Sequence, residues 1–149
     1  MSVRSVCNPN VATISANRSV REAARRMRES HVGDLIVTEP NRGGSVPIGV
    51  ITDRDIVIEI IAENVSADEL TVADIMSTDV VTVNEDNGLE FALREMQQKG
   101  VRRIPVINSE GLLVGVLSAD DVLDYVAGLV EHMAGILRQE QRTETTRHP

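Results

Sequence analysis

GVITDRD at residues 49–55 and GVLSADD at residues 115–121 are two versions of one pattern. In each heptapeptide a glycine and two apolar residues precede threonine or serine, and an aspartate follows three residues later. A hydroxyl and a carboxylate at this spacing are typical of a helix N-terminus, where they accept hydrogen bonds from free backbone N–H groups. The pattern therefore predicts, at two places in the chain, a strand that ends where a helix begins.

The sequence that precedes each heptapeptide is also repeated. A shift of 69 residues lays Val3–Val37 over Val72–Val106 without a gap, and eight positions are then identical. After a loop that is three residues longer in the first copy, the register resumes at a shift of 66 and aligns Asp55 with Asp121. Self-similarity of this kind indicates a repeated structural unit. The chain therefore contains one unit twice.

Each copy is predicted to run strand, helix, strand, strand, helix. Ser19, with Glu22 three residues later, forms a capping box that predicts the start of the first helix. The final helices should start near Asp53 and Ala119. Pro105, which lacks an N–H group, should lie at a sheet edge or at the start of its strand. The predicted strands are Val11–Ile14, Leu35–Val37, Ile48–Ile51, Val80–Val83, Ile104–Ile107 and Leu112–Leu117, and the apolar helix stripes are Val20, Ala23, Ala24, Met27 and Leu89, Ala92, Leu93, Met96.

Either copy alone is too small to bury a large core, so the two copies should pack sheet against sheet as a pseudo-twofold pair. The predicted fold class is α+β, with two β-α-β-β-α units. Ser66–Glu69 should form a turn and a helix start, and the polar end of the chain should be frayed from Arg138 onward. The predicted boundaries are 1–62 for the first unit, 63–71 for the connection, 72–126 for the second unit and 127–149 for a C-terminal helix and polar tail.

Composition excludes several classes of protein. The net charge of -8 and the sequence pI of about 4.8 argue against a nucleic-acid binder held by a basic surface. No apolar stretch approaches the roughly 18 residues that span a bilayer, and the N-terminus lacks the apolar core of a signal peptide. Cys7 is the single cysteine, so the sequence offers no intramolecular disulfide and no thiolate metal cluster. We expect a cytoplasmic protein with no nucleic-acid partner, no membrane insertion, no metal site and no required cofactor.

The two heptapeptides admit two interpretations. In the first, Thr52 and Ser118 only cap helices, and the aspartates only favour the positive end of a helix dipole. In the second, hydroxyl and carboxylate point across the helix N-terminus at a ligand. A carboxylate accepts hydrogen bonds from vicinal hydroxyls such as those of a ribose, and helix N–H groups attract phosphate. Recurrence behind a glycine in both copies favours the second interpretation.

Residues 3 to about 126 resemble a tandem pair of CBS domains, also called a Bateman module. The resemblance is carried by Val72–Met76, Val80–Val83, Val101–Val106 and both heptapeptides. It implies a regulatory protein that senses an adenine nucleotide: AMP, ADP or ATP, or else NAD or S-adenosylmethionine, bound in the cleft between the copies. It also implies a homodimer that signals to a client protein, as for stand-alone bacterial and archaeal CBS-pair proteins.

The resemblance further implies two composite sites. In the main site the second copy would bind ribose and phosphate, and the first copy would enclose adenine. A mirror site would exchange these roles. In the mirror site, Asp34 stands at the position that matches Arg103. A carboxylate repels phosphate, whereas a guanidinium binds it. We therefore expect only the main site to hold a charged nucleotide. The main-site residues are Cys7, Ala12, Val32, Gly33, Arg102, Arg103, Val116, Ser118 and Asp121, and the mirror-site residues are Val50, Thr52, Asp55, Met76, Val81 and Val101.

Two other functions are weighed against a ligand sensor. The chain could be a structural dimerisation module with vestigial ligand sites, acting only through surface contacts. An enzyme is disfavoured, because the sequence has no paired nucleophile and base, no metal cluster and no Walker-type phosphate loop. A dimer is expected on physical grounds as well, because apolar helix surface at Ala23, Met27 and Met96 would need cover.

Overall fold

The computed structural model describes residues 1–148 and contains two three-stranded sheets, one from each copy of the repeat. In each sheet the first strand is parallel to the second, and the second is antiparallel to the third. The strands are β1 (Thr13–Ser15), β2 (Asp34–Asn41) and β3 (Gly44–Thr52) in the first sheet, and β4 (Val83–Asn84), β5 (Arg103–Ile107) and β6 (Leu113–Ser118) in the second.

The helices follow the predicted order, so the prediction of two α+β units is confirmed. Ser19 and Glu22 form the expected capping box at the first helix, and the helices that close the two copies begin at Asp53 and Ala119. The helices are α1 (Val20–Ser30), α2 (Asp53–Ile56), which continues into a π-helical turn at Val57–Ile61, α3 (Val72–Ile75), α4 (Leu89–Lys99) and α5 (Ala119–Arg147).

The segment that leads into each copy packs on the other copy. Val3 is fully buried in the core of the second sheet, and Val72 is fully buried in the core of the first. Two antiparallel backbone bridges complete this exchange, with N···O distances of 2.8 to 3.0 Å. The exchange ties the two sheets together, because neither core is complete without the lead-in of the other copy. The bridges pair Asn8 with Val116 of β6, and Ser77 with Val50 of β3.

Pro105 lies in the middle strand of its sheet, so the prediction of an edge or strand-start position is wrong. The reason is visible in the first copy, where the backbone N–H of Ile36 donates to the carbonyl oxygen of Ala12 at 3.1 Å. Ile36 is the equivalent of Pro105, which has no N–H to make the corresponding bond. The neighbouring strand β4 accordingly begins only at Val83, which lies level with Val106. The proline shortens its neighbour instead of ending the sheet.

The connection between the copies contains the predicted turn, since the backbone N–H of Glu69 donates to the carbonyl oxygen of Ser66 at 3.1 Å. The prediction that a helix starts there is wrong. The helix starts after Thr71, whose backbone N–H donates to the carboxylate of Asp74 at 2.8 Å. This local bond caps α3 five residues after Ser66, where the predicted turn and helix start began.

The prediction of a frayed end from Arg138 is also wrong, because α5 continues to Arg147. Arginine, glutamine and glutamate dominate this stretch and are good helix formers, which explains the continuation. Pro149, the last residue of the predicted tail, lies outside the described residues. Within residues 1–148 no helix is both long enough and apolar enough to cross a membrane.

The apolar residues that we expected to need cover from a partner are covered within the chain. Ala23, Met27 and Met96 are all buried in the core of their own copy, so this basis for a dimer is wrong. Their helices lie against the sheets and turn these side chains inward. Of the predicted helix stripes, Ala24 and Leu93 are exposed, because each lies at the margin of the buried face.

Candidate functional site

A cavity of about 630 Å³ lies between the two copies. One wall is the lead-in segment Asn8–Ala12, and a second is formed by the end of α1 and by β2. The third wall belongs to the second copy, where β5, β6 and the start of α5 meet. The lining residues are Asn8, Pro9, Asn10, Val11, Ala12, Ser30, Val32, Asp34, Ile36, Arg103, Val116, Ser118, Asp120 and Asp121.

Ser118 and Asp121 are joined at the start of α5, inside this cavity. The Ser118 hydroxyl donates to Oδ2 of Asp121 at 2.5 Å and accepts from the backbone N–H of Asp121 at 3.0 Å. In the first copy the carboxylate is held differently, because Oδ2 of Asp55 accepts from the backbone N–H of Thr52 at 2.8 Å. A ligand hydroxyl can replace the Ser118 hydroxyl at Asp121, whereas at Asp55 it would displace a capping bond to the backbone.

Arg103 and Asp34 form an ion pair across the two copies, with 3.0 Å between Nη1 and Oδ1. Burial raises the pKa of Asp34, the guanidinium of Arg103 opposes that rise, and the charge of Asp53 adds to it. We expected Asp34 to belong to the mirror site alone, and the structure corrects this. Asp34 lines the same cavity as Arg103. Its carboxylate is already paired with the guanidinium that we predicted would bind phosphate.

Six of the nine residues predicted for the main site line the cavity. They come from four different segments of the chain, which the packing of the two copies brings together. The six are Ala12, Val32, Arg103, Val116, Ser118 and Asp121.

The other three predicted main-site residues do not line the cavity. Cys7 packs against the second core, where its Sγ would lie 3.1 Å from a Cβ placed at Gly115. Burial raises the pKa of the Cys7 thiol, and the charge of Glu85 adds to the rise. Gly33 lies against the carboxylate of Asp53. Arg102 is exposed and donates to Oδ1 of Asp120 at 3.0 Å, so it reaches the rim of the cavity only through that carboxylate.

The residues predicted for the mirror site do not line this cavity. Thr52 and Asp55 form a reciprocal capping box at the start of α2, and Val50 is bridged to Ser77. Met76 lies so close to Gly49 that a Cβ there would come within 2.6 Å of its Sδ. The remaining two residues belong to the second copy: Val81 packs on its core and Val101 is exposed.

Sequence reasoning missed half of the cavity lining. The missed lead-in residues include Asn8, whose Oδ1 accepts from the backbone N–H of Asn10 at 2.9 Å and turns the chain across the cavity. The sequence Asn8-Pro9-Asn10 is rich in turn-forming residues, and that was the available signal. Ser30, Ile36 and Asp120 gave no comparable signal. They line the cavity because of how the two copies pack.

The cavity lining carries more negative than positive charge. Three carboxylates, those of Asp34, Asp120 and Asp121, face one guanidinium, that of Arg103. Such a site favours a ligand that donates hydrogen bonds to carboxylates and carries few negative charges of its own. Across residues 1–148 the structure groups no histidine, cysteine, aspartate and glutamate side chains in a way that could hold a metal ion.

Comparison with known families and proteins gives a consistent result for both copies. The CBS domain family matches residues 3–62 and 72–128. The uncharacterized protein MK0525 of Methanopyrus kandleri is 35% identical over 130 residues, which cover 87% of this chain and 65% of that protein. The CBS domain-containing protein YhcV of Bacillus subtilis is 34% identical over 121 residues, which cover 81% of this chain and 82% of that protein. The chain thus spans less than two thirds of the length of MK0525 and most of the length of YhcV.

A solved structure shows the same fold. The CBS domain pair of protein MJ0100, in complex with 5'-methylthioadenosine and S-adenosyl-L-methionine, is similar with a TM-score of 0.71. The match covers 86% of this chain and 97% of that chain, at 23% sequence identity.

Proposed function

The chain belongs to the CBS domain family, and on this premise we propose that it is a regulatory protein that binds an adenosine-containing ligand between its two domains. The ligand is AMP, ADP or ATP, or else NAD or S-adenosylmethionine, and its binding is passed on to a partner protein in the cytoplasm. The proposal includes no catalytic step. One observation carries it: Ser118, Asp121 and Arg103 face a single cavity whose volume of about 630 Å³ suits a nucleotide.

Each part of a nucleotide would meet a suitable group in this cavity. Asp121 accepts hydrogen bonds from the ribose hydroxyls, and the positive end of the α5 dipole favours a phosphate. Arg103 supplies charge-assisted hydrogen bonds to the same phosphate. The apolar side chains of Val32 and Ile36 stand on the opposite wall, where they can cover the adenine ring.

The charge of the cavity ranks the candidate ligands. A phosphate can bind Arg103 only by competing with Asp34, and two further carboxylates lie in the lining. Each added phosphate charge therefore meets more repulsion, and we propose that AMP is bound more tightly than ATP. The complex of MJ0100 with two adenosine compounds supports the proposal at the level of the fold, since it places such ligands in the same architecture.

The signal would travel through the contact between the copies. The Arg103–Asp34 pair links β5 of one copy to β2 of the other. When a phosphate takes Arg103, Asp34 loses its partner and the link between the copies weakens. A partner protein that contacts both copies can read this change. We also propose a homodimer, as the family resemblance implies; Ala23, Met27 and Met96 are buried within the chain and do not contribute to it.

Equilibrium titration calorimetry with AMP, ATP, NAD and S-adenosylmethionine tests the proposal on purified protein. Asp121→Ala should abolish most of the binding, while Asp124→Ala, which removes a carboxylate from the exposed part of the same helix, should leave it unchanged. Binding that is equal in both variants and in the wild type would overturn the assignment of the site.

The alternative is a structural module with vestigial sites, and one observation favours it. Ser118 and Asp121 are already satisfied as the cap of α5. If none of the four ligands binds at millimolar concentration and Asp121→Ala only lowers the melting temperature, the cap interpretation is correct.

A further inference from the structure

A second cavity, of about 400 Å³, is lined only by residues of the first copy. It lies between β1, an edge strand of the first sheet, and the polar side of α1. We call it the β1–α1 groove. It shares no lining residue with the cavity between the copies. Its lining includes three guanidinium groups and three hydroxyls, those of Arg18, Arg25, Arg26, Thr13, Ser15 and Thr38.

The charge of the β1–α1 groove is the reverse of the charge in the cavity between the copies. Three guanidinium groups face two carboxylates, those of Glu22 and Glu29. Both oxygens of Glu22 are already bound, because Oε1 accepts from Nη1 of Arg18 at 3.4 Å and Oε2 accepts from the backbone N–H of Ser19 at 2.9 Å. Glu29 therefore opposes the two remaining arginines alone, and the groove keeps an excess of positive charge.

These two arginines are available to a ligand. Nε of Arg26 donates to the carbonyl oxygen of Thr13 at 3.2 Å, which holds its guanidinium over the groove and leaves the terminal nitrogens to donate elsewhere. Across residues 1–148 no carboxylate forms an ion pair with Arg25 or Arg26. Asp68 is influenced by the charge of Arg25, but it is paired with Arg21 at 2.7 Å and lies outside the lining.

The second copy shows that the fold does not require this positive charge. The repeat aligns Arg26 with Glu95 and Arg18 with Asn87. Helix α4 nevertheless packs on its own sheet as α1 does on the first, with the equivalent alanine and methionine buried. The arginines of the groove are thus specific to the first copy, and packing of the repeated unit does not explain them.

We propose that the β1–α1 groove binds a small phosphorylated compound, with its phosphate between Arg25 and Arg26. Guanidinium groups form charge-assisted, often bidentate hydrogen bonds to phosphate. The hydroxyls of Thr13, Ser15 and Thr38 can donate to or accept from the rest of the compound. A volume of about 400 Å³ lies in the range of small-molecule sites and is smaller than that of the cavity between the copies.

Titration calorimetry with pyrophosphate tests the groove in an Arg103→Ala background, which lacks the phosphate contact proposed for the other cavity. Arg26→Ala should weaken pyrophosphate binding about tenfold or more. Arg28→Ala is the matched control, because it removes the same charge from an exposed position of α1 outside the groove, and it should leave binding unchanged. Arg26→Glu places in the first copy the residue type of the second, so it should stay folded by circular dichroism and lose the binding.

Three results would overturn the proposal. The Arg103→Ala protein could fail to bind pyrophosphate at about 10 mM, where even weak complexes form, and the cavity between the copies would then hold any phosphate. Arg26→Ala and Arg28→Ala could weaken binding equally, which would indicate general attraction to a basic helix. Arg26→Glu could bind as tightly as its parent. None of these results depends on AMP, so this inference and the proposed function fail independently.

Competition identifies the source of the phosphate. Glycerol 3-phosphate and a glycine-flanked phosphoserine peptide present the same group, on a free compound and on a protein chain. Glycerol 3-phosphate should displace pyrophosphate from the Arg103→Ala protein. Displacement by the peptide alone would assign the groove to a phosphorylated protein and overturn the proposal of a small compound.

Discussion

Asp34 and Arg103 occupy the same position in the two copies, 69 residues apart, and form an ion pair with 3.0 Å between Oδ1 and Nη1. Equivalent residues of a pseudo-twofold pair can touch only near the axis that relates the copies. This position of the repeat thus carries a negative charge in the first copy and a positive charge in the second. The resulting ion pair joins the two copies at their axis. Because both side chains also line the cavity, the charge that a ligand meets and the contact between the copies depend on the same pair.

Arg103→Ala should weaken AMP binding at least tenfold. The variant loses a charge-assisted contact to phosphate, a contact of about 1.5–3 kcal/mol, and leaves Asp34 in the cavity without its guanidinium. Calorimetry on the variant gives the measurement. Arg94→Ala is the matched control, because Arg94 is exposed and paired with Glu90 on α4, and neither residue lines the cavity. Equal losses in the two variants would contradict the role of Arg103.

Asp34→Asn should strengthen the binding of phosphorylated ligands, and ATP more than AMP. The substitution removes a negative charge from the cavity and frees Arg103 from its partner. For partly exposed charges the gain is about 1 kcal/mol, or roughly fivefold in affinity. The affinity for adenosine, which carries no phosphate, serves as the control and should change little. A weaker affinity for AMP in Asp34→Asn would show that the carboxylate supports the ligand instead of repelling it.

The stability of the wild type relative to Asp34→Asn should fall as the pH rises. Burial holds the pKa of Asp34 above its ordinary value, so the folded protein retains a proton that the unfolded chain has lost. The stabilisation is therefore complete below the unfolded pKa and is lost as the pH rises through the folded pKa. Urea unfolding of both proteins between about pH 3.5 and 6 measures the difference. A constant difference across this range would contradict the raised pKa.

The two heptapeptides should differ in their effect on AMP binding. Asp121→Ala removes the carboxylate that faces the cavity and should weaken binding by about 1.5–3 kcal/mol. Thr52→Ala removes a cap of α2 outside that cavity, so it should cost about 1 kcal/mol of stability and leave AMP binding unchanged. Calorimetry and thermal unfolding of both variants separate these effects. Two equal AMP sites per chain would rule out this asymmetry.

Most elements that depend on local sequence were predicted correctly, although the helix start in the connection was placed too early. The capping boxes at Ser19 and Thr52 set where helices begin, because hydroxyl and carboxylate bond to backbone groups only three residues away. The hairpin strands β2 and β3 were found from apolar runs, although they extend further into the turn than predicted. Such features need no knowledge of the rest of the chain.

Features that depend on the exchange of the lead-in segments were not predictable. Cys7 was expected to touch adenine, but it packs on the second core because Asn8 bridges to Val116. The contact of Asp34 with Arg103 could be predicted only from the position of the pseudo-twofold axis, which no local pattern contains.

The helical course of α5 beyond Arg138 was missed because polarity was taken to indicate fraying, whereas the side chains present are good helix formers.

Gly115→Ala should destabilise the protein and weaken AMP binding together. A Cβ at Gly115 would lie 3.0 Å from the backbone oxygen of Asn8 and 3.1 Å from Sγ of Cys7. The lead-in must therefore move off β6, and an overpacked contact of this kind costs about 1–3 kcal/mol. Because the same lead-in forms a wall of the cavity, its displacement should lower the affinity for AMP as well.

Gly128→Ala is the matched control for this prediction. A Cβ at Gly128 meets nothing within 4 Å, and the residue lies inside α5, where alanine is favoured over glycine by about 0.5–1 kcal/mol. Urea unfolding should therefore show Gly115→Ala below the wild type and Gly128→Ala above it, with AMP affinity reduced only in Gly115→Ala. If Gly115→Ala kept wild-type stability, β6 could tolerate a Cβ at this position, and the close contact between the lead-in and the second sheet would not be required for the fold. If it lost stability but kept its AMP affinity, the lead-in would hold the copies together without shaping the ligand site.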